Sequence, residues 1–446
     1  MPAPSPTQLA RRAWRWLAAR SPLQLLLAGW VAFATCCYPG YMSFDSIMQL
    51  GEARHGTFSD AYAPLMTQVW RLLEWLLAGP APMLALQSGL FLVGAYGLLR
   101  RVVAPRAAAL ATVGVLLAPP VYAVMAVIWP DSLLAGALVA AAAGLVHPDR
   151  RAKIAGVAAL VLACGCRLAI APAAIPIAAL ALAGWPRPRA LAGAAAIAIA
   201  CAAIAQLASC VLVDDDTHAT EWRLELLDVA GTARRARLHG ADLDAAFAGL
   251  EVVDRARLDA WIGDGHDVYD AFGISHGDKR IVYAPIDDAE ASAVDTAWRR
   301  AVTAHAGAYA THRWELFVRL LGVGDKWDPV FDDLGDRDLL APLHHRATPS
   351  DLQLASRTVV RAVAATPLFK PWLYLALAIA FLVYARERRE LPVLRALAAS
   401  GLVYEIVQLV AAQGPDYRAS HWLVATTWLA IVGAAVARRW PASPRP

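Results

Sequence analysis

Residues 38–65 read YPGYMSFDSIMQLGEARHGTFSDAYAPL. The stretch follows an apolar segment directly and carries Asp45, Glu52, Arg54 and Asp60, with His55 among them. A plain connector between two membrane spans needs only a few residues, so a polar cluster of this length points to a site. Pro39-Gly40 breaks the chain, and Ser43 suits a helix N-cap. If the helix runs on from Ser43, then Asp45, Gln49 and Glu52, spaced i, i+4, i+7, share one face. The next segment, MTQVWRLLEWLLAG, contains Arg71 and Glu74 and is too short and too charged to span comfortably. It reads as an amphipathic helix on the outer surface. Residues 39–80 thus form a first outer loop.

Outward from this loop, the chain has the composition of a polytopic membrane protein. It holds 446 residues, 58% hydrophobic and 17% charged, with a mean hydropathy of +0.45. The net charge of +4 hides a partition. Residues 214–345 carry 26 acidic and 14 basic residues, a net of −12, which leaves +16 on the remainder. The excess Arg residues alternate with apolar segments and read as topology signals facing an anionic leaflet, not as a nucleic-acid surface. The six cysteines lie in or beside apolar segments, so residues 214–345 have no internal disulfide. Cys164 and Cys166 read as small buried apolar residues rather than a metal pair. The basic N-terminal stretch leads into a span without a clear cleavage site and reads as a retained anchor.

In chain order, spans are expected over about 22–38, 81–99, 107–128 and 132–146. Residues 154–184 form one apolar run interrupted by Arg167. At about 1.5 Å per residue it is roughly 46 Å long, too long for one upright span. Basic clusters flank both ends, so it reads as two thin spans turning at Arg167. Further spans are expected over about 190–213, 369–385, 391–412 and 420–437. The expected fold is an all-α polytopic membrane protein with about ten transmembrane helices. Residues 1–213 form an N-terminal membrane core of about seven spans, residues 214–368 a mainly helical extracytoplasmic domain with a surface helix, and residues 369–446 the last three or so spans. By this division the inner loops and tails hold 18 Lys or Arg, which places both termini in the cytoplasm.

Polar groups meet the membrane at five outward places: Asp45 to Tyr62, Asp131, Arg167, the 214–345 domain, and Asp416-Tyr417-Arg418 with His421. Arg167 and Arg418 are candidates to hold an anion, because a guanidinium donates two parallel hydrogen bonds to phosphate. The plainer alternative is that each snorkels or pairs with a nearby Asp. Asp45 and Asp60 suit a general base and its partner, or ligands to Mg²⁺, Mn²⁺ or Ca²⁺. Alternatively Asp45 is a cap, Asp60 a turn residue, and Asp131 a cap after Pro130. His344-His345 near Asp332, Asp333, Asp336 and Asp338 is either a metal cluster or solvated loop charge. The 214–345 domain shows no Walker loop, GxSxG elbow or HExxH motif.

The order of these features resembles the GT-C superfamily of membrane glycosyltransferases, which includes protein O-mannosyltransferases and the lipid A aminoarabinose transferase. PGYMSFDS and FSDAYAPL stand where that superfamily carries its acidic first outer loop, and WPDS resembles its second acidic position. CRLAIAP with Arg167 and PDYRASHW with Arg418 resemble segments of related bacterial membrane proteins. Asp45 is followed by Ser46, where many members carry a paired Asp-Glu. The resemblance implies an inverting transferase that moves a sugar from a polyprenyl-phosphate-linked donor to a glycan, lipid or protein acceptor on the periplasmic side of a bacterial inner membrane. Asp45 and Asp60 would be catalytic, with a divalent cation between them if one is used. Arg167 and Arg418 would hold the donor phosphate, with Gln49, Tyr62, Asp131, Asp416, Tyr417 and His421 in support. Two alternatives stay open: a transporter or flippase of an anionic or lipid-linked substrate, for which Glu405 is the clearest intramembrane group, and a polysaccharide polymerase or ligase.

Overall fold

The computed structural model describes residues 19–214, 221–250, 253–263, 288–324, 329–341, 343 and 348–442. Among them every regular element is helical, and extended backbone pairs only at two isolated bridges, Tyr41 with Val127 and Val103 with Pro441. Helix α1 (Pro22–Cys37) starts at a Ser21 capping box. Helix α2 (Phe44–His55) starts at Ser43, as its sequence predicts: the hydroxyl accepts from the Ser46 N–H. It stops at Gly56, whose φ of +76° is the left-handed conformation that glycine adopts without strain. Helix α3 (Pro64–Glu74) covers the first part of the stretch expected to form a surface helix; it buries Met66, Thr67 and Trp70, and Trp75, Leu76 and Leu77 after it are exposed.

Helices α4 (Ala81–Leu99), α5 (Pro105–Leu116), α6 (Pro119–Met125) and α7 (Pro130–Leu145) follow. The continuous span expected over 107–128 is instead broken, with α5 and α6 bent by 69°. Pro119 and Pro120 supply no N–H for the ladder, and their rings clash with the preceding turn's carbonyls. Helix α8 (Arg150–Cys166) ends at Arg167, where the sequence places a turn. A 3₁₀ turn, α9 (Ala171–Ala178) and a second 3₁₀ turn follow, then α10 (Arg187–Leu212). Small residues let these helices approach closely: a Cβ at Gly94 would lie 2.6 Å from the α7 backbone.

The polar portion contains α11 (Glu221–Ala236), α12 (Ala241–Ala246), α13 (Arg255–Gly263), α14 (Asp288–Ala304), α15 (Ala306–Leu320), α16 (Arg337–Leu340) and α17 (Asp351–Ala364). Its core includes Trp222, Leu226, Phe247 and Leu320, and runs on into Ala412 and Ala419 of the bundle. The chain closes with α18 (Pro371–Ala385), α19 (Pro392–Ala411) and α20 (His421–Arg439). His344 and His345 lie outside the described residues.

Among the described residues four segments are long and apolar enough to cross a membrane: Ala81–Leu99, Arg187–Leu212, Pro392–Ala411 and Tyr417–Arg439. Counting the bent pair as one makes five. This is fewer than the ten or so read from the sequence. The other apolar helices are shorter, and the 16 residues of α1 reach only about 24 Å against a hydrocarbon core of roughly 30 Å.

Contacts define two ends of the bundle. At one, Arg101 donates to the Val146 carbonyl, Ala104 N to the Trp440 carbonyl, and Arg438 to the Tyr384 hydroxyl. At the other, Tyr41 meets Val127, Arg167 meets Asp131, Asp214 meets Phe58, and Arg313 meets Ala412. The polar helices dock at this second end.

Candidate functional site

Two chain breaks, the one before α2 and the link between α6 and α7, meet at the second end. Tyr41 N donates to the Ala126 carbonyl at 2.9 Å, and Ile128 N donates back to the Tyr41 carbonyl at 2.9 Å. The Ser46 hydroxyl donates to the Ile128 carbonyl at 2.6 Å, and the Trp129 indole N–H to Ser43 Oγ at 2.8 Å. These bonds satisfy the backbone groups that the breaks leave over and fix the first turn of α2, which carries Asp45, against the link between α6 and α7.

Two ion pairs sit on this frame. Arg167 donates from Nε to Asp131 Oδ1 at 2.7 Å and from Nη2 to Oδ2 at 2.9 Å. The Asp131 side chain is only 2% exposed and that of Arg167 32%. Asp131 lies in the first turn of α7, where the helix dipole favours an anion. Breaking such a buried pair from one side costs about 3–5 kcal/mol. The second pair is looser. Arg418, in the 3₁₀ turn before α20, lies with Nε 2.7 Å from Asp416 Oδ2 and donates from Nη1 to Asp45 Oδ2 at 2.8 Å. Its guanidinium stacks 4.9 Å from the Trp129 ring centroid. The Asp45 side chain is 40% exposed, and exposed pairs contribute about 0.2–1 kcal/mol. The charges of Asp131 and Arg167 also act on Arg418, so the two pairs form one electrostatic cluster.

Beneath them lies a polar layer that the sequence announces only in part. Tyr404, Glu405 and His421 are buried. The Ser420 hydroxyl donates to Glu405 Oε1 at 2.8 Å, whereas Glu405 Oε2 and both His421 ring nitrogens have no hydrogen-bond partner among the described residues. Tyr404 interacts electrostatically with Arg167 and Asp131. Sequence reasoning missed Trp129 and Tyr404. Trp129 carries a signal, because it is the aromatic residue directly before Pro130-Asp131. Tyr404 is one more apolar-tolerant residue on a membrane helix and carries none.

Other expected members go elsewhere. Gln49 is buried and donates to Thr67 Oγ1 at 3.0 Å and to the Ala63 carbonyl at 3.2 Å, so it ties α2 to α3 and does not extend the Asp45 face. The charge of Asp60 acts on Glu52, while Asp45 pairs with Arg418. Glu52 accepts from the Ser59 hydroxyl, and burial raises its pKa despite that bond. Tyr62 is nearer the site: burial, then the charge of Asp45, pushes its hydroxyl up to about 12, with Arg223 of α11 acting against the rise. The Tyr417 hydroxyl turns inward to the Pro120 carbonyl at 3.3 Å. Among the described residues no three His, Cys, Asp or Glu side chains gather into a possible cation site. The Asp45 carboxylate is held by the Arg418 guanidinium, which Asp416 shares.

No family model, no curated protein and no solved structure matches the chain.

Proposed function

We propose that this chain is a GT-C-type membrane glycosyltransferase. It takes a sugar from a polyprenyl-phosphate-linked donor and gives it to an acceptor hydroxyl at the end of the bundle where Asp45 lies. The shorter apolar helices then complete about ten spans in tilted or locally thinned passages. The acidic end faces the periplasm of a bacterial inner membrane, and the Arg-rich end faces the cytoplasm. The observation that carries this reading is the 2.8 Å contact between the partly exposed Asp45 carboxylate and Arg418. It brings a carboxylate that can take a proton and a cation that can hold an anion into one site. Asp45 takes the acceptor proton. The acceptor oxygen bonds to the anomeric carbon from the face opposite the phosphate. The anomeric C–O bond breaks with its electron pair going to the phosphate, which Arg418 stabilises. Arg167 is committed to Asp131 on both oxygens and acts by positioning the cluster.

A transporter reading draws on Glu405, a buried acid with one oxygen unpaired among the described residues. Donor turnover separates the two. Purified protein in vesicles is given synthetic polyprenyl-phosphate hexoses and pentoses, and release of polyprenyl phosphate is followed, with water or added alcohols as acceptor. The expected result is turnover in the wild type, at least about 100-fold lower in Asp45→Asn, the size of a lost general base, and retained in Glu405→Gln. Turnover unchanged in Asp45→Asn would overturn the mechanism.

A further inference from the structure

The two arginines differ in how their donors are held. Arg167 gives two hydrogen bonds to a carboxylate that is almost wholly buried. Arg418 divides its donors. One side faces Asp416, which is part of the same turn and also accepts from the Arg418 backbone N–H at 3.1 Å. The other side gives a single bond to Asp45, which comes from a helix 373 residues away in sequence and is partly exposed. Trp129 stacks against the guanidinium and also bonds Ser43, the cap of the Asp45 helix. Arg418 therefore keeps its place by Asp416 and Trp129 whether or not Asp45 stays on it. Asp45, in the first turn of α2, keeps a favourable position for its charge at the helix N-terminus when it leaves.

Resting on the function proposed above, we propose that Asp45 occupies the ligand seat of Arg418 in the resting protein and that the phosphate of a lipid donor displaces it. Donor binding and activation of the base are then one event. While Oδ2 accepts from Arg418 it is closed to an acceptor hydroxyl, and once the phosphate takes its place on the guanidinium it is open. Without donor, Asp45 Oδ2 stays on Arg418; with donor, it is released toward the acceptor.

The test is a binding measurement that needs neither sugar nor acceptor. Affinity of detergent-solubilised protein for undecaprenyl phosphate is measured by native mass spectrometry titration, with inorganic phosphate titrated separately. Because Asp45 competes for the seat, Asp45→Asn should bind the lipid about two- to fivefold more tightly than wild type, the size of an exposed ion pair. Asp332→Asn removes one carboxylate from the Arg361 pair, an equal change in net charge, and should leave affinity unchanged. Arg418→Ala should lose binding. Asp45→Ser is the second variant, used if the Asn protein is not monodisperse. Lipid binding that is equal or weaker in both Asp45 variants overturns the exchange and leaves the transferase reading standing. Tightening to the same degree in Asp332→Asn also overturns it, because general charge would then be the cause. No lipid binding by any protein overturns both the exchange and the donor reading. Inorganic phosphate bound more tightly by Asp45→Asn with no lipid bound would assign the seat to free phosphate and overturn the lipid donor.

Discussion

The Arg167–Asp131 pair makes a stability prediction with an internal asymmetry. Truncating Arg167 to Ala strands a carboxylate whose side chain is 2% exposed, whereas truncating Asp131 strands a guanidinium that is 32% exposed and can regain water. The first should cost about 3–5 kcal/mol, the range for removing one partner of a buried pair. The second should cost about 1–3 kcal/mol, the range for leaving one polar group unsatisfied. The double variant removes both charges together, so its cost should fall below the sum of the singles by about 2–3 kcal/mol, the upper part of the range for residues sharing a network. The assay is equilibrium unfolding of the four proteins in mixed detergent micelles, followed by far-ultraviolet circular dichroism. Additive costs would refute the claim that the pair is a closed structural unit. A larger loss in Asp131→Ala than in Arg167→Ala would refute the burial argument. Either result would return Arg167 to the list of free phosphate ligands.

The other predictions concern the frame around the site. The pKa of Glu52 is raised in the fold by burial, so the folded state binds a proton more readily than the unfolded chain. Its contribution to stability is present below the ordinary value of 4.5 and is lost as pH rises through the raised value. Glu52→Gln should therefore gain stability relative to wild type as pH rises from 4.5 through that window, and parallel unfolding curves across the window would disprove it. Arg313 joins Asp228 at 3.3 Å and donates to the carbonyls of Ala412 and Val410 at the end of α19. Arg313→Ala should speed amide hydrogen exchange in α11, α14 and α15 and leave α4 and α7 protected. The loss is about 3–5 kcal/mol, because Asp228 stays buried without its arginine, with only the Trp298 indole N–H and His312 beside it among the described residues.

The sequence was most legible where local chemistry acts alone. Ser43 caps α2 and Gly56 ends it because a hydroxyl and a left-handed backbone decide those positions within a few residues. Arg167 ends α8 where the apolar run becomes too long to cross once. The sequence was less legible where a decision lies between distant segments. Gln49 falls on the expected face, yet Thr67 and the Ala63 carbonyl, on and just before α3, draw it away from the site. The break between α5 and α6 was written in Pro119-Pro120, but their strong apolar flanks masked it. The partnering of Arg418 with Asp45 spans 373 residues, and no local rule could choose it over Asp131 or Asp60.

All members of the ion cluster lie at or beside interruptions: Asp45 one turn after the Pro39-Gly40 break, Asp131 in the first turn of α7, Arg167 at the end of α8, and Asp416 and Arg418 in the turn between α19 and α20. Two costs explain that placement together. A helix that stops near hydrocarbon leaves backbone N–H and C=O groups that need partners, and a charged side chain near hydrocarbon needs a counter-charge. Gathering the breaks at one end lets the same residues answer both needs. Ser46 takes up a freed carbonyl, Asp131 pairs Arg167 within the field of a helix N-terminus, and Trp129 serves a cap and a cation at once. What is left over after these satisfactions is the donor capacity on the Asp45 side of Arg418. In a cluster where the buried charges are matched, the partly exposed contact that joins segments distant in sequence, Arg418 with Asp45, is where a ligand can enter at least cost.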